Sequence, residues 1–176
     1  MRRSVSLSLL MLAASTATGH ADRLFEGYFS KAADGRPCYA REYTAKHLAE
    51  HPRQQVTAIE IDYRPANPDG VLNTAKGFEL GFGVKKRGSA EWFTNSAYCT
   101  TRSDRFECGL EGDGGQFRLR PSAHNRLRLE LVRDTIAIEG ADSVFEFGGS
   151  KSDDNVFLLS RADRKVCDAA TADVDR

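Results

Sequence analysis

In the stretch FELGFGVKK, residues 78–86, every second side chain is apolar. Because successive side chains of a β-strand point to opposite faces, these apolar residues would share one face of a strand. They are Phe78, Leu80, Phe82 and Val84. The period of two therefore predicts a strand of an antiparallel sheet that has one buried face.

The same alternation recurs along the chain from Val56 onward. It is clearest at residues 59–63 and 127–131, and shorter versions lie between turn-forming segments. The shorter stretches are 90–99, 106–110, 117–119, 135–138, 144–147 and 156–159. About eight or nine strands joined by short turns are typical of a closed barrel or a two-sheet sandwich. We predict a mainly β, single antiparallel domain that forms a small up-and-down barrel, with a two-sheet sandwich as the alternative.

The N-terminus has the layout of a secretory signal peptide. Two arginines precede an apolar stretch, residues 5–14, and small residues follow at Gly19 and Ala21. The apolar stretch is shorter than the about 20 residues that cross a bilayer. We expect cleavage after Ala21, or alternatively after Gly19, so that residues 1–21 are removed. Because the first cysteine is Cys38, no lipid anchor is expected, and the mature protein would be periplasmic or secreted.

Residues 22–167 are expected to form one β domain, since a chain of this length can bury a sizeable core. Removing residues 1–21 leaves 23 basic residues against 25 acidic ones. This balance argues against broad binding to nucleic acid or to anionic lipid. The segment 168–176, DAATADVDR, has almost no apolar content and is predicted to be a disordered tail.

Helical signals are confined to the region before the predicted sheet. Thr44 can cap a short helix over residues 45–51, which Pro52 would end. No stretch after residue 55 has the length and spacing of a substantial helix. The aromatic residues of segment 25–29 are predicted to form a packing arm or lid at one end of the sheet.

The cysteines form an even set in a chain that is expected to be exported, which indicates two disulfides. They are Cys38, Cys99, Cys108 and Cys167, and three pairings are possible. If the turn after strand 90–99 is centred between residues 103 and 104, Cys99 and Cys108 lie directly opposite each other. Direct cross-strand neighbours have separations that suit a disulfide. We therefore predict the Cys99–Cys108 pair, which leaves Cys38 with Cys167.

The stretch ECGLEGDGGQFRL, residues 107–119, combines a cysteine, carboxylates and glycines. A hairpin centred between residues 113 and 114 would place Leu110 opposite Phe117, with both side chains inward. The loop would then be residues 112–115, which are rich in the residue that reaches positive φ without strain. We interpret the stretch as a turn between two core-facing strands.

Two acidic residues, Glu111 and Asp113, invite other interpretations of this turn. A calcium loop needs more carboxylates at alternate positions and a closing glutamate, so no calcium site is predicted. A catalytic pair of Glu111 with Asp153 or Asp154 is conceivable, because glycosidase carboxylates can come from distant strands. Residues 153–155 serve equally well as a turn. We therefore assign no catalytic, cofactor-binding or metal-binding residue.

Residues 47–51, HLAEH, match the H-x-x-E-H pattern of inverted zinc metalloproteases. The predicted helix has only about two turns, and no second helix is predicted to donate a third ligand. We interpret the pattern as a solvated helix surface.

Trp92, Phe93 and Tyr98 could stack on a sugar or a nucleobase. Aromatic residues of a β domain usually belong to its core, and we assign all three to the core.

Three stretches resemble a class of small exported bacterial β-proteins to which no activity is attached. They are CYAREYTAKHLAEHP (38–52), FECGLEGDGGQF (106–117) and DDNVFLL (153–159). In architecture the chain is also similar to the small barrel inhibitors that Gram-negative cells export against lysozyme, although no residues match the inhibitory loop of that family. This similarity implies an inhibitor-like role.

These features predict a non-enzymatic binding protein of the periplasm without a cofactor. It would bind a partner protein at its loops or a small ligand at a barrel mouth. The alternatives are an envelope hydrolase that uses carboxylates such as Glu111 and Asp153, and a structural or stress factor of the envelope.

Overall fold

The computed structural model describes residues 16–30, 35–67, 69–133, 135–140 and 143–172. Ten strands lie within these residues. They are β1 (Cys38–Glu42), β2 (Val56–Tyr63), β3 (Phe78–Lys86), β4 (Trp92–Thr101), β5 (Phe106–Leu110), β6 (Gln116–Ser122), β7 (Arg126–Val132), β8 (Thr135–Glu139), β9 (Val144–Gly148) and β10 (Val156–Ala162). The helices are α1 (Thr16–Phe25), which continues into a π-helical turn (Glu26–Ser30), α2 (Ala45–Glu50) and α3 (Arg164–Ala172), with a short 3-10 turn (Ala123–Asn125) before β7.

Eight of the strands close into an antiparallel barrel. Strands β1 to β7 follow one another around the barrel in chain order, and β10 lies between β7 and β1. Strands β8 and β9 form a separate hairpin that is inserted between β7 and β10. The predicted up-and-down barrel is therefore confirmed, and the chain is not a two-sheet sandwich. The strand that the alternation missed is β1, where the adjacent residues Cys38 and Tyr39 are both buried.

The apolar positions of the alternating strands fill the barrel interior. In β3, the four apolar side chains are at most 1% exposed. Phe82 meets Phe117 of β6 across the interior, with ring centroids 5.1 Å apart. The centre of the barrel is thus packed by large side chains from opposite strands.

Aromatic residues from the N-terminal segment fill the end of the barrel at which β1 begins. The Phe29 ring lies 5.1 Å from Phe78 and 5.0 Å from Phe106, measured between centroids. Phe25 lies 5.0 Å from Phe78 and 6.0 Å from Tyr63. Both phenylalanines are buried, so segment 25–29 is a packing arm at one end of the sheet, as predicted.

The β8–β9 hairpin fills the opposite end of the barrel. Its inward side chains are buried, and Phe145 packs 5.3 Å from Phe93 of β4. Phe147 packs edge-on against Phe157 of β10, at 6.1 Å. The Ala137 amide of β8 donates to the Gly114 carbonyl in the β5–β6 loop, at 3.0 Å. Both ends of the barrel are therefore occupied by the chain itself.

The short helix before β2 forms where the sequence places it. The Thr44 side chain accepts a hydrogen bond from the His47 amide, at 3.2 Å, and so caps α2. His51 is the C-terminal cap residue, directly before Pro52.

Helix α3 contradicts two expectations for the end of the chain. Residues 164–172 are helical, so the prediction of no substantial helix after residue 55 is wrong, and so is the prediction of disorder for residues 168–172. Composition misled because this helix packs through small groups and a covalent link. Ala170 is fully buried, and Cys167 is bridged to β1. The last four residues, 173–176, lie outside the described residues.

The expected signal segment lies mostly outside the described residues, which begin with α1 at Thr16. In the described part of the chain, no helix is both long enough and apolar enough to cross a bilayer.

Candidate functional site

The two disulfides join the cysteines in the predicted pairs. Cys99 and Cys108 are direct partners across β4 and β5, with their Cα atoms 4.1 Å apart. Cys38 and Cys167 connect β1 to α3, with a Cα separation of 6.0 Å. Two such bridges are consistent with an oxidising compartment outside the cytoplasm.

The β5–β6 hairpin has a different register from the predicted one. Cys108, and not Leu110, is the partner of Phe117, and the Leu110 amide donates to the Gly115 carbonyl. The loop is therefore 111–114, one residue earlier than predicted. Asp113 adopts a positive φ of 61°, and φ is also positive at the neighbouring Gly112 and Gly115. Because the strand pairing shifts by two residues, the same side chains still face inward.

The carboxylates weighed as a catalytic pair have separate surroundings. Glu111 is exposed in the β5–β6 loop, whereas Asp153 pairs with Arg53 at 2.7 Å. Asp154 is fully buried and accepts hydrogen bonds from the amides of Gln55 and Val56, where β2 begins, at 2.6 and 3.2 Å. Burial raises the pKa of Asp154, and these amides oppose the rise. The two aspartates are therefore engaged with the segment of residues 53–56, and Glu111 does not share these contacts.

The H-x-x-E-H histidines stack on each other on the surface of α2. The His47 ring lies 4.7 Å from the Tyr43 ring and 4.3 Å from the His51 ring. Its Nε2 atom is 3.0 Å from the Gln54 Oε1 atom. Within the described ranges, no group of three or more His, Cys, Asp or Glu side chains is arranged to hold a metal ion.

A groove crosses the outer face of the barrel where β4, β5 and β6 run side by side. Its volume is about 350 Å³. Tyr98, Gly109 and Gln116 lie in one row across the three strands, so Gly109 forms the floor between a ring and an amide. The residues that matter for its chemistry are Tyr98, Thr100, Glu107, Gly109, Gln116 and Arg118. We call this feature the Tyr98 groove.

Tyr98 is 57% exposed, so its assignment to the core is wrong. Phe93 is indeed buried in the barrel, and Trp92 is buried on the outer face near α3. The Tyr98 ring leans over Gly77, where any Cβ would collide with the phenol oxygen. A Cβ on Gly109 would meet nothing within 4 Å. These two glycines support the ring on one side and leave the groove open on the other.

Arginines outnumber carboxylates around this groove. The Glu107 carboxylate accepts from Arg102 at 2.9 Å and from Arg105 at 2.9 Å, while Arg118 approaches it only to 4.0 Å. Hydrogen bonds from Arg102 and Arg105 lower the pKa of Glu107. The wider network joins Arg102, Arg105, Arg118, Arg120 and Arg128 to Asp104, Glu107 and Glu130. Five guanidinium groups therefore meet three carboxylates within this network.

A second unusual cluster lies beneath α3, on the outer face of β2. It consists of Glu60 and Asp62, which are 2% and 1% exposed, and we call it the carboxyl cluster. Arg164 of α3 pairs with Asp62 through two nitrogens, one of them at 2.8 Å. Among the described residues, the Glu60 Oε2 atom has no hydrogen-bond partner. Burial, and then the charge of Asp62, raises the pKa of Glu60 to about 8.

Glycines of β3 make room for this cluster. A Cβ on Gly83 would lie 2.5 Å from Glu60 Oε1 and 3.2 Å from the Ala170 Cβ of α3. A Cβ on Gly81 would lie 3.3 Å from the Asp62 Cβ. From the sequence alone, the alternation assigns Glu60 and Asp62 to the solvent-exposed face of β2. The glycines at alternate outward positions of β3 were the signal that something packs on this face.

No protein-family model, curated protein or solved structure matches the chain. The chemistry of the exposed groove and of the covered cluster is therefore the guide to function.

Proposed function

We propose that the chain is an exported, non-enzymatic binding protein of the periplasm or the external medium, and that its ligand binds in the Tyr98 groove. The observation that carries this proposal is the position of Tyr98. Its ring is 57% exposed, rests on Gly77 and borders an open floor at Gly109. An exposed aromatic ring beside a concave, polar surface is a common feature of binding sites.

The filled ends of the barrel favour the outer face over a barrel mouth. Phe25 and Phe29 occupy one end, and Phe145 and Phe147 occupy the other. A ligand at either mouth would have to displace buried aromatic side chains, each of which contributes a few kcal/mol of burial. A ligand in the Tyr98 groove displaces only water.

The carboxylates do not favour the hydrolase alternative. Asp153 is engaged by Arg53, and Asp154 holds the backbone before β2. Glu60 of the carboxyl cluster has the raised pKa that a general acid needs, but α3 covers the cluster and no substrate can reach it without helix displacement.

Chemical-shift mapping tests the proposal. We would titrate the ¹⁵N-labelled, disulfide-bonded protein with three ring-shaped probes, phenol, cyclohexanol and methyl glucoside. The proposal predicts that shifts of at least one probe centre on the amides around Gly109. Shifts centred on Phe25 and Phe29, or no saturable shifts with any probe, would contradict it.

A filled groove provides the matched variant. Gly109→Val should fold normally, because its Cβ meets no atom within 4 Å and valine suits a strand, yet it should abolish the shifts. Ser160→Val adds the same side chain to an exposed position of β10 outside the groove and should leave the shifts unchanged.

A further inference from the structure

We infer that the Tyr98 groove binds a saccharide ring that carries one carboxylate, an inference that rests on the proposed function and specifies its ligand class. The ring would lie over Gly109 against Tyr98, and the carboxylate would pair with Arg118. Three features of the groove support this assignment: its width, its polar groups and its charge.

The width of the groove suits one ring. Tyr98 and Gln116 lie on strands that are two positions apart, so about 10 Å separates their backbones. Because Gly109 contributes no side chain, a ring can descend to the backbone of β5 between them. The tyrosine face carries negative charge density and attracts the polarised C–H groups on the face of a sugar ring.

The polar groups favour a ring with hydroxyl groups. Thr100 offers a hydroxyl, which both donates and accepts, and Gln116 offers a carbonyl oxygen and an NH₂ group. Gln116 is exposed and Thr100 is partly exposed, so both can reach a bound molecule. A purely apolar ring would strip water from these groups without replacing the lost hydrogen bonds, which costs affinity.

The charge of the groove favours one carboxylate on that ring. Arg102 and Arg105 donate hydrogen bonds to the Glu107 carboxylate, whereas the Arg118 Nε atom lies 4.0 Å from the Glu107 Oε1 atom. Arg118 lines the groove, its side chain is 40% exposed, and its guanidinium lies too far from Glu107 for a hydrogen bond, so it can donate to a ligand in the groove. A planar guanidinium matches a carboxylate in a two-point hydrogen bond. Glu107 disfavours a second anionic group on the same ligand.

The test compares three probes on the full, disulfide-bonded protein: methyl glucuronoside, methyl glucoside and benzoate. The affinities would be measured from amide shifts around Gly109. Methyl glucuronoside should bind about tenfold more tightly than methyl glucoside, the gain expected of a charge-assisted hydrogen bond, and added salt should reduce the difference. Benzoate, which has the charge but lacks the hydroxyl groups, should bind more weakly than methyl glucuronoside.

Two arginine variants test the carboxylate contact. Arg118→Gln should bring methyl glucuronoside down to the affinity of methyl glucoside. Arg128→Gln removes the same charge from the same face outside the groove, where Arg128 pairs with Glu130 at 3.0 Å, and should preserve most of the difference. Equal losses in the two variants would show a general field effect and overturn the assigned contact.

The outcomes separate this inference from the proposed function. If methyl glucoside and methyl glucuronoside bind in the groove equally well, the carboxylate is wrong and the groove remains the binding site. If benzoate binds there as tightly as methyl glucuronoside, the saccharide is wrong. If none of the three probes shifts the amides around Gly109, the inference fails. The proposed function fails with it only if phenol and cyclohexanol also leave these amides unshifted.

Discussion

Glu60→Gln should make the stability of the protein less dependent on pH between pH 4.5 and pH 8. The folded protein holds the pKa of Glu60 at about 8, against 4.5 for an exposed glutamate. The folded state therefore binds a proton that the unfolded state releases across this range. The contribution of Glu60 to the free energy of unfolding is therefore fully present below pH 4.5 and is lost as pH rises towards 8. Glutamine has nearly the same shape as glutamate and does not ionise.

The size of the effect follows from the shift in pKa. Each pH unit within the range costs the wild-type protein about 1.4 kcal/mol, so it should lose roughly 3 kcal/mol between pH 4.5 and pH 7 on account of Glu60. The charge of Asp62 contributes to this loss, and those of Arg164 and Arg64 reduce it. If the glutamine amide does not replace a contact of the glutamate, the resulting loss of stability is the same at every pH. The test therefore rests on how the difference in unfolding free energy between variant and wild type changes with pH.

Urea unfolding of both proteins under non-reducing conditions, from pH 4.5 to pH 9, measures the difference. The single tryptophan of the sequence, Trp92, packs with Ala170 of α3, so its fluorescence reports on the covered face. The stability advantage of Glu60→Gln should grow steadily with pH up to about 8. An advantage that stays constant across the range would refute the reasoning. Glu146→Gln, at an exposed position of β9, is the control and should follow the wild type.

Three further predictions concern how α3 and the disulfides stabilise the barrel. Gly83→Ala forces its Cβ against Glu60 and α3, so it should lower the free energy of unfolding in urea by about 1 to 3 kcal/mol. Gly109→Ala, the control, should be neutral or stabilising. Equal effects of the two substitutions would contradict the packing of α3 on Gly83. Asp62→Asn leaves Arg164 without its buried partner and should lower the free energy of unfolding by about 3 kcal/mol or more at pH 7, also measured in urea. A loss below half of that would show that the ion pair is dispensable. The β1–α3 disulfide joins cysteines 129 residues apart, so replacing both with serine should lower the free energy of unfolding by about 5 kcal/mol. The same replacement at the β4–β5 disulfide, whose cysteines are 9 residues apart, should cost about 3 kcal/mol. The reverse order would contradict the chain-entropy explanation of disulfide stabilisation.

The period of two was sufficient for the barrel because local alternation and burial agree along β3. The cross-strand position of Cys99 and Cys108 followed from the same pattern. The β5–β6 register did not, because the segment 112–115, with three glycines and Asp113, accepts more than one turn centre, and contacts with β8 decide between them. Turn chemistry alone carried too little information there.

The two candidate sites depend on contacts between segments that are distant in the chain. Glu60 looks like a solvated residue until α3, more than 100 residues later, covers it. Tyr98 looks like a core residue until the register places it outward, opposite Gly109. Helix α3 was not predicted because its segment has low apolar content. A helix that is held by a disulfide and one buried alanine needs no apolar stripe. These features follow from tertiary packing and not from any local pattern.

Intermolecular NOEs between the protein and bound methyl glucuronoside test the central claim, that the ligand lies on the outer face of the barrel. The proposed site predicts contacts from the sugar ring protons to the Tyr98 ring and to the Gly109 Hα protons, and their loss in Gly109→Val. Contacts to the Phe25 and Phe29 rings in place of Tyr98 would contradict it, since they would put the ligand in the barrel mouth.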